Sequence, residues 1–201
     1  MKRFDTSLPE GQIKKSILDA ANNRFRAFGF KKTTMAEIAE DLGMSTSNLY
    51  RYFPSKLDIA EAFALHCFEE KEEGLLSEVQ VSIPPSECLK RYAVALLHYN
   101  YEQLRDFPRL NEIIMALCDE NSALVERKVQ GELMIINDII RRGCTEENWE
   151  VESIEKTGMA VMSSWVMFNT PMFMKHKTLE DLEERLSHIL QLLLTGLEKR
   201  N

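Results

Sequence analysis

The sequence predicts an all-α protein: an N-terminal three-helix helix-turn-helix domain joined to a C-terminal helical bundle, about nine helices in total. Three observations carry the helical reading. Apolar residues recur at three- and four-residue intervals, and no stretch sustains the period-2 alternation of a strand. Glycine and proline number only eight and six in 201 residues. Small polar residues precede the apolar runs and Gly or Pro follows them, as helix boundaries require.

The elements follow in order. A helix over 12–28 puts Ile13, Ile17, Ala20, Ala21, Phe25 and Phe28 on one face and stops at Gly29. "TTMAEIAEDLG" is a short helix in which Thr34 and Glu37 have the spacing of a capping box and Gly43 ends the run. "STSNLYRYF" is a third helix, capped by Ser45 and closed by Pro54. Ser55 caps a longer one through the charged run "FEEKEEG" at 68–74, which reads as a solvated helix end. "SIPPSE" breaks the chain before a helix from about Ser86 to Arg105. "RDFPRL" turns into a short helix through Leu117, and a long amphipathic helix ends at Gly143. "CTEENWEVE" reads as an acidic loop, and two helices, beginning near Ser153 and Thr178, complete the chain.

Composition bounds the function. Hydrophobic residues make up 44% and charged residues 28%, the balance of a globular protein. No apolar run approaches the roughly 20 residues of a membrane span, and the N-terminus has no secretory pattern, so a cytoplasmic protein is expected. The four cysteines form no CxxC pair, and the four histidines are scattered, with no HExxH, GxSxG or P-loop. No catalytic residue, metal site or cofactor is expected. Net charge is −7, yet residues 1–58 hold ten Lys/Arg against seven Asp/Glu, and residues 59–201 hold fifteen against twenty-five. A basic head on an acidic body suits a protein that presents one end to a polyanion.

The head has helix-turn-helix grammar. Helix 35–42 and helix 46–52 are separated by three residues, with Ala39 small at the crossing and Gly43 at the exit. Leu42, Met44 and Leu49 are the apolar side of the pair, and Phe53 is the ring expected in its core. Thr46, Ser47 and Asn48 open the second helix of the pair, the end such a helix pushes toward base edges. The hydroxyls of Thr34, Tyr50 and Tyr52 and the ammonium of Lys56 are suitable phosphate ligands. In the N-terminal arm and first helix, Lys2, Arg3, Lys14 and Lys15 are further candidates for phosphate or minor-groove contact.

Residues 20–63 carry "F-x-x-x-G-F-x-x-T-T-M-x-x-I-A" and "G-M-S-x-S-N-L-Y-R-Y-F-P-S-K-x-D-I". On these motifs the stretch, roughly a quarter of the chain, resembles the DNA-binding domain of the TetR family of bacterial transcriptional repressors. The resemblance implies an all-helical homodimer of about nine helices per subunit whose third helix reads the major groove. By position it places Thr46, Ser47 and Asn48 on bases, and Thr34, Tyr50, Tyr52 and Lys56 on phosphates. Met35 stands where members often carry a polar contact; its methyl could meet a thymine methyl instead. A DNA-binding domain over 1–56 and a sensing and dimerisation domain over 57–201 follow.

In the back half, helices that pair with a symmetry mate need a second apolar stripe. The last helix has surplus leucines, and the helix over 154–169 offers small residues. Ala160, Ser163, Ser164, Leu182, Leu186, Ile189 and Leu193 are the expected dimer interface. A small-molecule effector is implied by the resemblance. Its candidate pocket residues are the aromatics and methionines Tyr99, Tyr101, Met115, Met134, Met162, Trp165, Phe168 and Met172, with His98 and Asn137. The expected function is a homodimeric repressor on a palindromic double-stranded DNA operator, released by that effector. A DNA-binding activator or architectural protein with the same head, and an all-helical enzyme, are the alternatives.

Overall fold

The computed structural model of the protein describes residues 8–198. Among them it forms ten α-helices: α1 Glu10–Phe28, α2 Met35–Leu42, α3 Thr46–Tyr52, α4 Lys56–Leu76, α5 Pro85–Asp106, α6 Pro108–Glu120, α7 Ser122–Glu146, α8 Ile154–Ser164, α9 Pro171–Met174 and α10 Leu179–Leu197. A 3-10 turn, Val166–Phe168, lies between α8 and α9. The described residues contain no named strand, only an isolated bridge between Trp149 and Glu198. The count exceeds nine because the segment from 154 to 174 is not one helix. Trp165 leaves helical geometry at φ −112° and ψ 19°, and Pro171, which has no N–H to give, starts a new short turn.

The chain divides into two compact units. The first runs through Cys67 and also takes in Phe107–Val125; the second comprises Phe68–Asp106 and the chain from Glu126 on. The first unit is therefore larger than the 1–56 head read from the sequence. Helices α4 and α7 each contribute residues to both units. No helix among the described residues is long and apolar enough to cross a membrane.

In the first unit α1 turns Ile13, Ile17, Ala21 and Phe25 inward at helical spacing, all at most 1% exposed. Phe25 meets the rings of Phe30 and Phe63 at 5.5 and 6.5 Å, edge to face or tilted, as ring quadrupoles prefer. Burying each such side chain stabilises the unit by about 1.5–3 kcal/mol. Helix α2 packs Met35, Ile38 and Ala39 against this core, and Leu49 and Phe53 anchor α3. Arg24 of α1 fastens α2 from outside through two hydrogen bonds to Asp41, of 2.5 and 2.7 Å.

The second unit has one core, built from α5, α7, α8, the 3-10 turn and α10 around Tyr92, Leu96, Ile136, Ile140, Trp165 and Leu186. The segment expected as an acidic loop is more ordered than that. Helix α7 continues to Glu146, Asn148 takes the left-handed conformation at φ 57°, and the chain turns back so that Trp149 N–H donates to Gly143 O at 3.1 Å. Trp149 is then 5% exposed and lies directly on Gly143, where a Cβ would come within 2.0 Å of its ring. The "FEEKEEG" run also differs from a solvated end: Lys71 within it is buried, because its face of α4 meets Glu132 of α7.

Candidate functional site

The exposed polar face of the first unit is built around α3. Ser45 caps the helix: its side-chain oxygen accepts from Asn48 N–H at 3.2 Å. Gly43 makes the turn possible. It sits at φ 67° and ψ 28°, a conformation costly for residues with a Cβ, and its N–H closes α2. The first turn of α3 then presents Thr46, Ser47 and Asn48 beside one another, Ser47 exposed and its neighbours half-buried. Leu49, fully buried, and Phe53 hold the other side down. Tyr50 is 49% exposed and Tyr52 half-buried. The division of the three clustered rings matches the sequence reading: Phe53 goes in and the tyrosines stay toward water.

Two of the candidate phosphate ligands have partners of their own. The Thr34 hydroxyl donates to Glu37 Oε2 at 2.8 Å and accepts from Glu37 N–H at 3.3 Å, while the Thr34 N–H donates to Glu37 Oε2 at 2.8 Å and completes the capping box. Its single proton is committed within the protein. Lys56 differs more. Its ammonium donates to Phe30 O and Thr33 O, each at 2.7 Å, and lies 4.3 Å over the Phe30 ring. Burial pushes its pKa down, opposed by the charge of Glu37. One N–H remains for an outside acceptor, so Lys56 is first a clamp on the loop between α1 and α2. The spacing of a lysine after "FPS" could not reveal carbonyls 23 and 26 residues earlier in the chain.

Met35 is 8% exposed and belongs to the core, so it offers no surface to a base. Lys14 is ion-paired to Glu10 at 2.7 Å, whereas Lys15 is exposed. Lys2 and Arg3 lie outside the described residues. Sequence reasoning passed over Arg51, exposed on the last turn of α3, and Lys31 and Lys32, exposed just before Thr34. Their signal was present: cations interleaved with the polar face.

The ten candidate pocket residues do not gather in one place. Met115 belongs to the first unit, and the others to the second. Met134 and Met172 are 65% and 71% exposed. Met134 falls on the outer face of α7 because Glu132, Ile135, Ile136, Ile139 and Ile140 occupy the inner one. The His98 imidazole is paired at the surface with Glu183 of α10 at 2.6 Å. Trp165 and Phe168 are fully buried, with Tyr101 and Met162 packed against their core. Tyr99 is half-buried, its ring centroid 6.0 Å from the Lys71 ammonium. Asn137 turns its side-chain oxygen toward Gly158 and finds no partner for it. A crevice of about 630 Å³ in the first unit, walled by Phe28, Leu57, Ile113 and Ala116, contains none of the ten.

The interface candidates divide in the same way. Leu182 and Leu186 are spent on the chain's own core, at 0% and 1% exposure, because α10 buries the stripe Leu182, Leu186, Leu190, Leu197. They have no surface to give a partner. Ala160 and Ser163 are exposed, and Ser164, Ile189 and Leu193 are half-buried. The apolar surface left over is Leu192 at 75%, with Met159 at 44% on α8 and Val166 at 52% just beyond it.

Among the described residues no group of three or more His, Cys, Asp and Glu side chains is placed to hold a metal ion. The family model described as bacterial regulatory proteins, tetR family, matches residues 17–63. The model described as tetracyclin repressor-like, C-terminal domain, matches residues 85–190. The HTH-type transcriptional regulator RutR of Escherichia coli K12 is 29% identical over 128 residues, 62% of this chain and 57% of that protein. The chain thus spans little more than half the length of these curated relatives. Thermus thermophilus FadR, a TetR-family repressor solved with lauroyl-CoA, superposes at a TM-score of 0.67 and 20% identity, covering 94% of this chain and 96% of that one. RolR in complex with resorcinol superposes at 0.63 and 16% identity, covering 91% and 88%. At these identities the likeness is one of fold.

Proposed function

Because the chain belongs to the TetR family of bacterial regulatory proteins, we propose that it is a cytoplasmic homodimeric repressor that leaves a palindromic operator when a small molecule binds. The observation that carries the DNA-binding half is the α3 geometry. A capped helix N-terminus holds Thr46, Ser47 and Asn48 side by side, Ser47 exposed and the other two half-buried, with Leu49 and Phe53 locking the helix from behind. Short polar side chains at that end read base edges. Tyr50, Tyr52 and the remaining N–H of Lys56 serve phosphates, with Thr34 joining through a rearranged cap. In functional terms residues 1–56 bind DNA and residues 57–201 sense and dimerise, although the compact units share α4 and α7.

Dimerisation uses the free faces of α8 and α10: Met159, Ala160, Ser163, Ile189, Leu192 and Leu193. It sets two copies of α3 about 34–36 Å apart, one turn of DNA. An effector acts by favouring one of two head spacings, not merely by binding. The neighbours solved with lauroyl-CoA and resorcinol support an organic effector for this chain as well.

The test is a mobility shift on the DNA flanking the protein's own gene. Asn48→Ala should relax base preference, at about 1–3 kcal/mol for the affected position. Tyr50→Phe should weaken all sequences alike with the salt slope unchanged, since the group is neutral. An Asn48→Ala variant with undiminished specificity removes the base-reading assignment. A shift accompanied by activated transcription selects the activator alternative.

A further inference from the structure

Two features of the second unit have no part in DNA binding. The first is a charged pair almost without water. The side chains of Lys71 on α4 and Glu132 on α7 are 8% and 5% exposed, with Nζ and Oε1 2.9 Å apart. Asn169 joins both: its Oδ1 accepts from Lys71 at 3.1 Å, and its Nδ2 donates to Glu132 Oε2 at 2.6 Å. Asn100 of α5 extends the chain, donating to Asn169 Oδ1 and Phe168 O at 3.1 and 3.0 Å. The second feature is a set of polar atoms with nothing to bond. The Tyr92 hydroxyl and the Trp165 Nε1 have no partner, and both residues are 0% exposed. Their rings lie 6.2 Å apart, and Glu132 is near enough for its charge to act on the Tyr92 hydroxyl.

Neither feature serves stability well. A buried ion pair is often no better than a well-packed apolar pair, and an unpartnered buried donor is a cost. The pair joins α4 and α7 through Asn169 and Asn100, and the unpartnered donors lie on α5 and at the end of α8, with the Tyr92 hydroxyl within reach of the Glu132 charge. We infer that this cluster recognises the carboxylate of a small, otherwise apolar organic acid. The inference rests on the effector-responsive reading above and names the chemistry of that effector.

The donor count supports it. The Lys71 ammonium has three N–H groups and spends two, on Glu132 and Asn169. Its third, the Tyr92 O–H and the Trp165 N–H are surplus donors, which suit a group that only accepts. Among the described residues of this unit, the unpartnered side-chain amide oxygen is Asn137 Oδ1, which faces Gly158. On binding, the ligand carboxylate replaces Glu132 on Lys71, and Glu132 turns to Lys128, one helical turn away on α7. A link from α4 to α7 becomes a link from α4 to the ligand. The sensor thereby gains two states with different contacts, which effector control needs.

The test uses the full chain with benzoate, decanoate and 4-phenylbutyrate, each beside its neutral amide, by calorimetric titration and by the emission of Trp165. At least one acid binds, and its amide binds at least about tenfold more weakly. Glu132→Gln removes the competing anion and tightens the acid by about tenfold, leaving the amide unchanged. Lys71→Met alone strands a buried carboxylate and risks unfolding, so the paired Lys71→Met/Glu132→Leu variant is used with circular dichroism as a fold check. It keeps its helices and loses the acid. The inference is overturned if no acid binds, if amides bind as well as acids, or if the paired variant retains the affinity; the cluster is then structural or filled by water alone. If a neutral or cationic compound releases the operator while acids do not, the repressor reading survives and this one fails. If acids bind as described but no DNA is shifted, the repressor reading fails and this one stands.

Discussion

Lys56 grips Phe30 twice: its ammonium donates to the Phe30 carbonyl at 2.7 Å and lies 4.3 Å from the centroid of the Phe30 ring. A second bond, to Thr33 O, makes the side chain a brace across the loop that delivers α2. Lys56→Ala should therefore destabilise the protein in the absence of DNA, by about 1–2 kcal/mol for the lost charged hydrogen bonds. Thermal unfolding measures this. A phosphate ligand with no structural duty predicts an unchanged midpoint and a salt slope lower by about 0.9. A lowered midpoint with the slope intact assigns Lys56 wholly to the brace.

Two leucines on α10 separate packing from assembly. Leu186 is 1% exposed and Leu192 is 75% exposed. Leu186→Ala should cost about 2–5 kcal/mol of subunit stability, because a buried side chain leaves a cavity. Leu192→Arg should leave the helical content intact and dissociate the dimer. Sedimentation with circular dichroism on both variants reads the two effects. If Leu192→Arg sediments as wild type, the proposed α8–α10 face is not the interface.

Gly143 has room for no side chain. A Cβ there would stand 2.0 Å from the Trp149 ring. Gly143→Ala gains helix propensity worth about 1 kcal/mol, yet it must expel the indole from its seat. The clash should win, lowering the unfolding midpoint and shifting the Trp149 emission toward that of a wet indole. A stabilised variant with unchanged emission contradicts the packing.

The link between Arg24 and Asp41 makes part of the head's stability depend on acid. Arg24 hydrogen bonds, and then its charge, hold Asp41 below the ordinary carboxylate range in the folded chain. A carboxyl lowered on folding contributes fully above its unfolded value, about 3.9, and loses that contribution as pH falls through the lowered folded value. Wild type should exceed Asp41→Asn in stability by a constant amount from pH 7 to about 5, and the gap should close below about pH 4. Asp41 is 42% exposed, so the gap is at most about 1 kcal/mol. Paired unfolding curves across that range provide the check.

Much of the head was legible because its determinants are local. Thr34 with Glu37, Ser45 with Asn48 N–H, and Gly43 at the end of α2 act within four residues, and each formed as its spacing required. The same holds for the inward face of α1 and for the choice of Phe53 over the tyrosines. The second unit was less legible because its determinants are distant. Lys71 sits in a run of glutamates that looks solvated, and only a partner 61 residues away makes it a buried cation. Glu132 and Asn169 carry no local signal of their own. Methionines and aromatics at helical spacing fit a pocket, a core or a surface equally well; Met134 and Trp165 went opposite ways according to which face of the chain met its neighbours.

By itself, then, the sequence determined the helical class, the caps and the polar opening of α3, since helix periodicity and capping are short-range physics. Only the tertiary structure decided which leucines of α10 remain free, what Lys56 holds, and that a charged pair lies inside the second unit. Burial and pairing depend on which helix faces meet, and that is settled by contacts between residues far apart in the chain.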